Sequence, residues 1–233
     1  MDERSVSSSA LVENFRDISR INSYFGGVAV IRRLLERVLV ERAKEDPGRR
    51  APLRLLDIAT GAADIPLAIS RWALQRGIEI EIVATDYSEE ILAIARSTVA
   101  NVPAITLELA DARSLPYGNG SFDIVTCSLA LHHFSDEEAI KVLGEMRRVA
   151  GMAFIVNDLR RSLFGYLAAR AYGLLFTRSP LTRNDGPLSV LRAFTPAELA
   201  RLVESADIGR VLIERQPGWR LSLLGIQPQS NGS

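Results

Sequence analysis

Five short segments of the chain carry residue types suited to chemistry. Thr60-Gly61-Ala62-Ala63-Asp64 is a run of small residues closed by an acid, and Asp86-Tyr87 follows 25 residues after Gly61. Asp111-Ala112 offers a further acid. Ser128 opens a stretch that leads to His132-His133, the only two histidines, and Asn157-Asp158 adds another carboxylate. A small-residue turn lets backbone N–H groups approach a ligand closely. A carboxylate some 20 residues further on can accept both hydroxyls of a ribose, and Tyr87 can pack on a flat base. An imidazole with its ordinary pKa of ~6.5 can remove a proton at neutral pH, and Asp158 can orient it or touch the acceptor. Each residue taken singly also has an ordinary structural role: tight packing, helix entry, a turn cap, or a histidine bonded to backbone. Together they point to a nucleotide-type cofactor.

The elements that must position these residues alternate in period. Residues 53–58 form a short apolar run entering a turn, which predicts a buried strand. Asp64 is the expected N-cap of a helix over 65–76, with Pro66 tolerated in its first turn and Gly77 ending it. Strands are expected at 79–85, 105–109, 122–127 and 152–156. Ser88 with Glu89-Glu90 opens one helix, and the capping boxes Ser135/Glu138 and Thr195/Glu198 open two more. Residues 210–215 and 219–224 flank Gln216-Pro217-Gly218, a hairpin signal. This predicts an α/β, Rossmann-like doubly wound fold, with a mostly parallel seven-stranded sheet and a terminal antiparallel hairpin. The acids and small residues then follow strand ends, where such sheets bind ligands.

Residues 1–50 are charged and helical in pattern, ending at Asp46-Pro47-Gly48, and are expected to form an N-terminal helical cap. Residues 51–226 form the cofactor-binding domain, with a helical insertion at about 159–193 after the fifth strand, and residues 227–233 a flexible tail. The 233 residues carry 28 basic and 28 acidic side chains, so no global positive field exists to hold nucleic acid. Cys127 is the sole cysteine, in an apolar context that reads as a buried strand position, and no cluster of metal ligands is expected. The start of the chain lacks a signal-peptide pattern, and the apolar run at 163–176 is interrupted by Arg170 and too short to span a bilayer. A cytoplasmic protein without stable membrane insertion is expected.

The order LLDIATGAAD, ATDYS, ADARSLPYGNGSFDIV, LALHHF resembles the class I S-adenosylmethionine-dependent methyltransferases. It is most similar to their small-molecule group (methyltransferase type 11), which includes the ubiquinone and menaquinone enzymes. The resemblance covers roughly residues 53–157 strongly. It implies S-adenosylmethionine as cofactor, with Asp57, Ala59, Thr60 and Gly61 around its methionine moiety and Asp86 on its ribose. It also implies Tyr87 beside the adenine, Asp111 and Ala112 at the adenine edge, and Ser128 lining the methyl. Ala63 stands where the family has a second glycine, which suggests a wider loop or an ordinary negative φ at that residue. Val149-Ala150-Gly151 replaces the family's Pro-Gly-Gly.

Methyl transfer is an in-line displacement, so alignment and exclusion of water dominate. A hydroxyl acceptor also needs a base. His132 or His133, with His132 favoured, and Asp158 are the expected catalytic residues. These point to O-methylation of an aromatic or polyketide-like small molecule, with C- or N-methylation, or a non-catalytic binding protein of this fold, as alternatives. An NAD-dependent oxidoreductase would need GxGxxG and a Tyr-x-x-x-Lys pair, yet the only lysines are Lys44 and Lys141. The acceptor pocket is expected under the insertion and the N-terminal segment around Arg16, Asn22, Tyr24 and Phe25, with Arg16, Tyr24 and Tyr166 as substrate contacts. The apolar insertion is also a candidate homodimer surface.

Overall fold

The computed structural model describes residues 8–24, 26–45, 51–177, 179–217 and 219–227. Two helices lead, α1 (Ser8–Tyr24) and α2 (Gly27–Glu45), followed by β1 (Leu53–Ile58), α3 (Asp64–Gln75), β2 (Ile80–Asp86), α4 (Glu89–Val99) and β3 (Ile105–Leu109). Next come β4 (Phe122–Ser128), a 3₁₀ turn (Leu131–His133), α5 (Asp136–Val149) and β5 (Ala150–Leu159). The chain continues through α6 (Leu163–Leu175), α7 (Pro180–Arg192), α8 (Pro196–Ala206), β6 (Val211–Gln216) and β7 (Arg220–Ile226).

The seven strands form one sheet in the order β3-β2-β1-β4-β5-β7-β6. Strands β1 to β5 run parallel, and β7 pairs antiparallel with both β5 and β6. Strand alternation divides the core between the two faces. Leu56, Ile58, Val125, Cys127 and Phe154 pack on one side with residues of α5 and α8. Leu53, Leu55, Ile82, Ile124 and Ile155 pack on the other with residues of α2, α3 and α4. Both faces are covered, which is why these strands read as near-continuous apolar runs.

Register then sets the site. Ile58 pairs with Thr85 and with Cys127, Asp86 with Leu109, and Ser128 with Asn157. The carboxyl ends of the five parallel strands are therefore level, on either side of the order reversal between β1 and β4.

Local signals act as their chemistry dictates at most helix starts. Ser88 caps α4 by accepting from the Ile91 N–H, and both capping boxes close reciprocally. The start of α3 differs from the sequence expectation. Ala63, in left-handed conformation and without a side-chain cap, precedes the helix, and Asp64 is its first residue. The Asp64 carboxylate instead accepts from Asn22 Nδ2 at 2.9 Å, a tertiary bond across 42 residues. Gln227, assigned to the tail from its polarity, is tied down. Its backbone N–H donates to the Met152 carbonyl at 2.7 Å, and its side chain donates to the carbonyls of Arg147 and Ala150. Residues 46–50 and 228–233, which carry the expected cap boundary and the rest of the tail, lie outside the described residues.

The insertion is an antiparallel-packed pair, α6 and α7, and α7 meets α1. Buried Asp17 of α1 accepts hydrogen bonds from the hydroxyls of Thr177 and Thr182, the latter at 3.0 Å. One carboxylate thus links the N-terminal helix to the insertion.

Candidate active site

A cleft of about 550 Å³ opens over the ends of β1, β2 and β4. Its floor is the β1–α3 turn, where Ala59, Gly61 and Ala63 all have positive φ (51°, 57° and 60°). Gly61 is needed for closeness as well as conformation, because a Cβ there would meet the Phe15 ring at 3.0 Å. The turn is held by acids. Asp57 accepts from the hydroxyls of Thr60 at 2.7 Å and Thr126 at 2.6 Å, while Asp86 accepts from the backbone N–H of Gly61 at 3.1 Å and of Ser88 at 3.2 Å. Burial pushes the Asp57 carboxyl up to about 7 despite those hydroxyls. It raises Asp86 too, against the pull of its N–H donors. Desolvated carboxylates facing a cleft are groups that a ligand's hydroxyl or ammonium donors would satisfy. The Ser128 Oγ is also buried in this cleft, with no hydrogen-bond partner among the described residues.

Around this floor, Ala112 is buried, Tyr87 is exposed at the rim, and Asp111 is bound by Arg113 through contacts of 2.8 to 3.1 Å. That guanidinium also reaches Glu138 at 2.5 Å. All nine residues read from the sequence as cofactor-binding therefore line one cleft.

A second cavity, of about 350 Å³ and mainly apolar, adjoins the first. Phe15, Ile18, Leu129 and His133 line both, so they form a common wall. His132 and His133 lie on the 3₁₀ turn after β4. The His132 Nδ1 is 2.6 Å from one oxygen of Asp158, and its backbone N–H donates to the other oxygen at 2.8 Å. Burial alone would raise the Asp158 carboxyl. The His132 ring and the N–H donors of Leu159 and His132 outweigh it and hold the carboxyl below its usual range. His133 has no carboxylate bond, and burial, reinforced by His132, depresses it to about 4.

Arg220 of β7 is wholly buried and lines the same cavity. Its Nη2 donates to Asn22 Oδ1 at 3.0 Å, and Asn22 passes the connection to Asp64. Burial brings the guanidinium down to about 10, opposed by the charges of Asp158 and Asp64. A polar chain therefore runs from the histidine turn behind the apolar cavity to the cofactor loop.

Of the expected substrate contacts, Arg16 and Tyr166 fall outside both cavities. Arg16 is exposed and lines neither cavity. Tyr166 faces an outer groove beside Arg170, one helical face away, and Tyr172 lines the apolar cavity instead. Helical geometry explains the exchange, since residues 165, 168, 169 and 172 share the inward stripe that 166 does not. The Tyr24 side chain and Phe25 lie outside the described residues. Ala63 is corrected as well, because its φ is positive, so alanine adopts the conformation a glycine would provide. Arg220, Asp17 and Leu129 were not singled out from the sequence. No local pattern marks them; each acquires its place only through β7 pairing, helix docking or the turn after β4.

The strand order, its reversal between β1 and β4, and a cleft of strand-end acids are those of the class I S-adenosylmethionine-dependent methyltransferase fold. Residues 55–151 match the family model described as a methyltransferase domain, and this part of the chain is similar to the small-molecule methyltransferases. It is 39% identical over 101 residues to a demethylmenaquinone methyltransferase of Thermus thermophilus, covering 43% of each chain. Against a ubiquinone/menaquinone biosynthesis C-methyltransferase of Citrifermentans bemidjiense it is 34% identical over 141 residues, covering 56% of this chain and 58% of that one. The chain thus spans about half the length of these curated relatives. A solved methyltransferase structure from Aquifex aeolicus shares the fold at TM-score 0.64 and 18% identity, over 95% of this chain and 99% of that one. S-adenosylmethionine is the cofactor of this class, and the cleft fits it. Its uncompensated Ser128 hydroxyl and desolvated Asp57 and Asp86 suit a ligand bearing an ammonium group and a ribose diol.

Proposed function

We propose that this protein methylates a small apolar aromatic acceptor bearing a phenol or hydroquinone hydroxyl, at the ring carbon beside that hydroxyl. The carrying observation is the common wall. A polar cofactor cleft and an apolar cavity meet at Phe15, Ile18, Leu129 and His133, with the His132–Asp158 pair on the apolar side. The relatives named above, a demethylmenaquinone methyltransferase and a C-methyltransferase of quinone biosynthesis, support carbon as the receiving atom.

When bound, S-adenosylmethionine supplies an electrophilic methyl group on sulfur and departs as the neutral thioether. Asp86 would accept the ribose hydroxyls, Asp57 and Gly61 would hold the methionine end, and Asp111 with Ala112 would meet the adenine edge. Asp158 takes the Nδ1 proton bond of His132, which leaves Nε2 as the free base. His132 removes the acceptor hydroxyl proton, so the electron pair delocalises to the ring carbon that receives the methyl. The protonated His132 then returns its proton to the acceptor oxygen as the proton on the methylated carbon passes to solvent water, which restores the aromatic ring and the free base. The apolar walls exclude water and align the carbon with the sulfur–methyl axis.

O-methylation is the second reading, and the histidine pair favours it, since an oxygen deprotonated by His132 can itself take the methyl. Incubation with isotopically labelled S-adenosylmethionine and a panel of phenols and hydroquinones, followed by NMR of the product, separates the two. A methyl resonance on ring carbon supports the first reading and one on oxygen the second. No transfer to any acceptor, with the cofactor bound, sinks both.

A further inference from the structure

We propose that the outer face of α6 and α7 docks on an anionic lipid bilayer. Helix α6 reverses the usual distribution of side chains. Its inward stripe carries small residues, Gly165, Ala168 and Ala169, with Tyr172 against the acceptor cavity. Its outward stripe carries large apolar ones: Leu163 is 76% exposed, Phe164 68%, Leu167 53%, Leu174 68% and Leu175 74%. These positions recur every three to four residues and so form one continuous face. A contiguous face of this kind, rather than scattered leucines, marks an interaction surface.

Charge selects the occupant. Of the arginines in the segment 159–193, Arg161 is ion-paired with Glu198 of α8, whereas Arg170 and Arg183 border the outer groove. On the outer face itself, a groove of about 280 Å³ between α6 and α7 is floored by Leu174, Leu188 and Leu191 and flanked by Arg170 and Arg183. Methylene-binding surface beside guanidinium groups is the chemistry of a phospholipid, with acyl chain below and phosphate above. Self-association through this face would bring Arg170 and Arg183 of one copy against those of the other, with no acid among the described residues of the groove to compensate them.

With 13 residues, α6 is about 20 Å long and cannot cross a bilayer, and no helix among the described residues is long and apolar enough to do so. It would lie in the interface plane, as amphipathic helices do. The same helix forms the cavity wall, so docking brings the cavity beside the phase where an apolar acceptor partitions. That last consequence rests on the proposed acceptor class; the docking itself does not.

The test is flotation of the full chain with vesicles of phosphatidylcholine alone or mixed equally with phosphatidylglycerol. The protein floats with the mixed vesicles and binds them at least roughly tenfold more tightly than the neutral ones. Leu167→Ser/Leu174→Ser/Leu175→Ser lowers binding roughly tenfold or more. Arg170→Glu reduces the preference for anionic lipid. Both variants keep cofactor affinity and turnover of a water-soluble acceptor, which shows that they fold. Wild-type protein remaining at the bottom with both vesicles overturns the proposal, as does equal binding to both. A solution dimer that the triple variant converts to monomer, with flotation unaltered, assigns the face to a second copy instead. Flotation without methyl transfer to any acceptor would sink the proposed function and leave the docking intact.

Discussion

His132 and Asp158 are joined twice, with Nδ1 2.6 Å from one carboxylate oxygen and the backbone N–H donating to the other at 2.8 Å. The double contact fixes the tautomer and the ring plane together, leaving Nε2 as the only nitrogen able to accept a proton. Replacing Asp158 by Asn presents a different donor pattern to Nδ1. We expect kcat to fall roughly 10²- to 10⁴-fold, the range of general base catalysis. His132→Gln gives a comparable loss and the double variant little more, since the two act as a unit. Steady-state kinetics with calorimetry for the cofactor tests this; a proportionate loss of cofactor affinity would show a structural role only.

Asp86 should govern cofactor affinity. It organises Gly61 and Ser88 and offers its oxygens to the cleft. Asp86→Ala weakens S-adenosylmethionine binding about 10- to 100-fold, the range for a hydrogen bond to a charged group. Titration calorimetry reads it directly. An unchanged dissociation constant would remove Asp86 from the site.

Asp17→Ala separates acceptor from cofactor. The variant leaves the Thr177 and Thr182 hydroxyls without their buried acceptor and loosens the insertion from α1. The acceptor KM rises and protease cleavage within 159–193 accelerates, while cofactor affinity stays within about twofold, because Asp17 itself does not line the cleft. Equal protease resistance in the variant would refute the tether.

Acid stability carries the signature of His133. Its folded value of about 4 lies below the unfolded ~6.5, so its contribution is complete above ~6.5 and lost as pH falls towards 4. Asp57 has the opposite sign: raised to about 7, it favours the fold at acid pH and loses that contribution as pH rises through 7. His133→Gln removes only the first effect. Between pH 6.5 and 4, urea melts of the wild type should lose more stability than those of the variant, by an amount that solvent screening of this exposed ring reduces. Parallel curves would contradict a depressed His133.

Ala63 tests the backbone of the turn. With φ at 60° and no exposure, it tolerates glycine but not β-branching. Ala63→Gly should stay within about 1 kcal/mol of wild type, whereas Ala63→Val destabilises by about 2 kcal/mol or more. Thermal and urea unfolding of the pair decides it; a tolerated valine would mean that φ is not held.

Much of the frame was legible because it rests on local rules. Ser88, Ser135 and Thr195 mark helix starts through bonds to residues three positions away, and the apolar runs at 53–58 and 122–127 become strands because both sheet faces are covered. The strand-end residues Gly61, Asp86, Asp111 and Ser128 converge because parallel register levels the ends of the strands. Where the reading failed, a distant partner had intervened. Asp64 would cap a helix in isolation, but Asn22 takes its carboxylate; Tyr166 is as aromatic as Tyr172, yet only helix rotation tells which one faces the cavity.

The sequence by itself determined the methyltransferase frame and the cofactor end of the site, since both depend on residues close to strand ends and on short-range periodicity. The tertiary structure alone decided the acceptor end. There Arg220 comes from the last strand, Asp158 from the fifth, His132 from the turn after the fourth, and Phe15 from the first helix. Their meeting depends on sheet order and helix docking, which no spacing along the chain encodes.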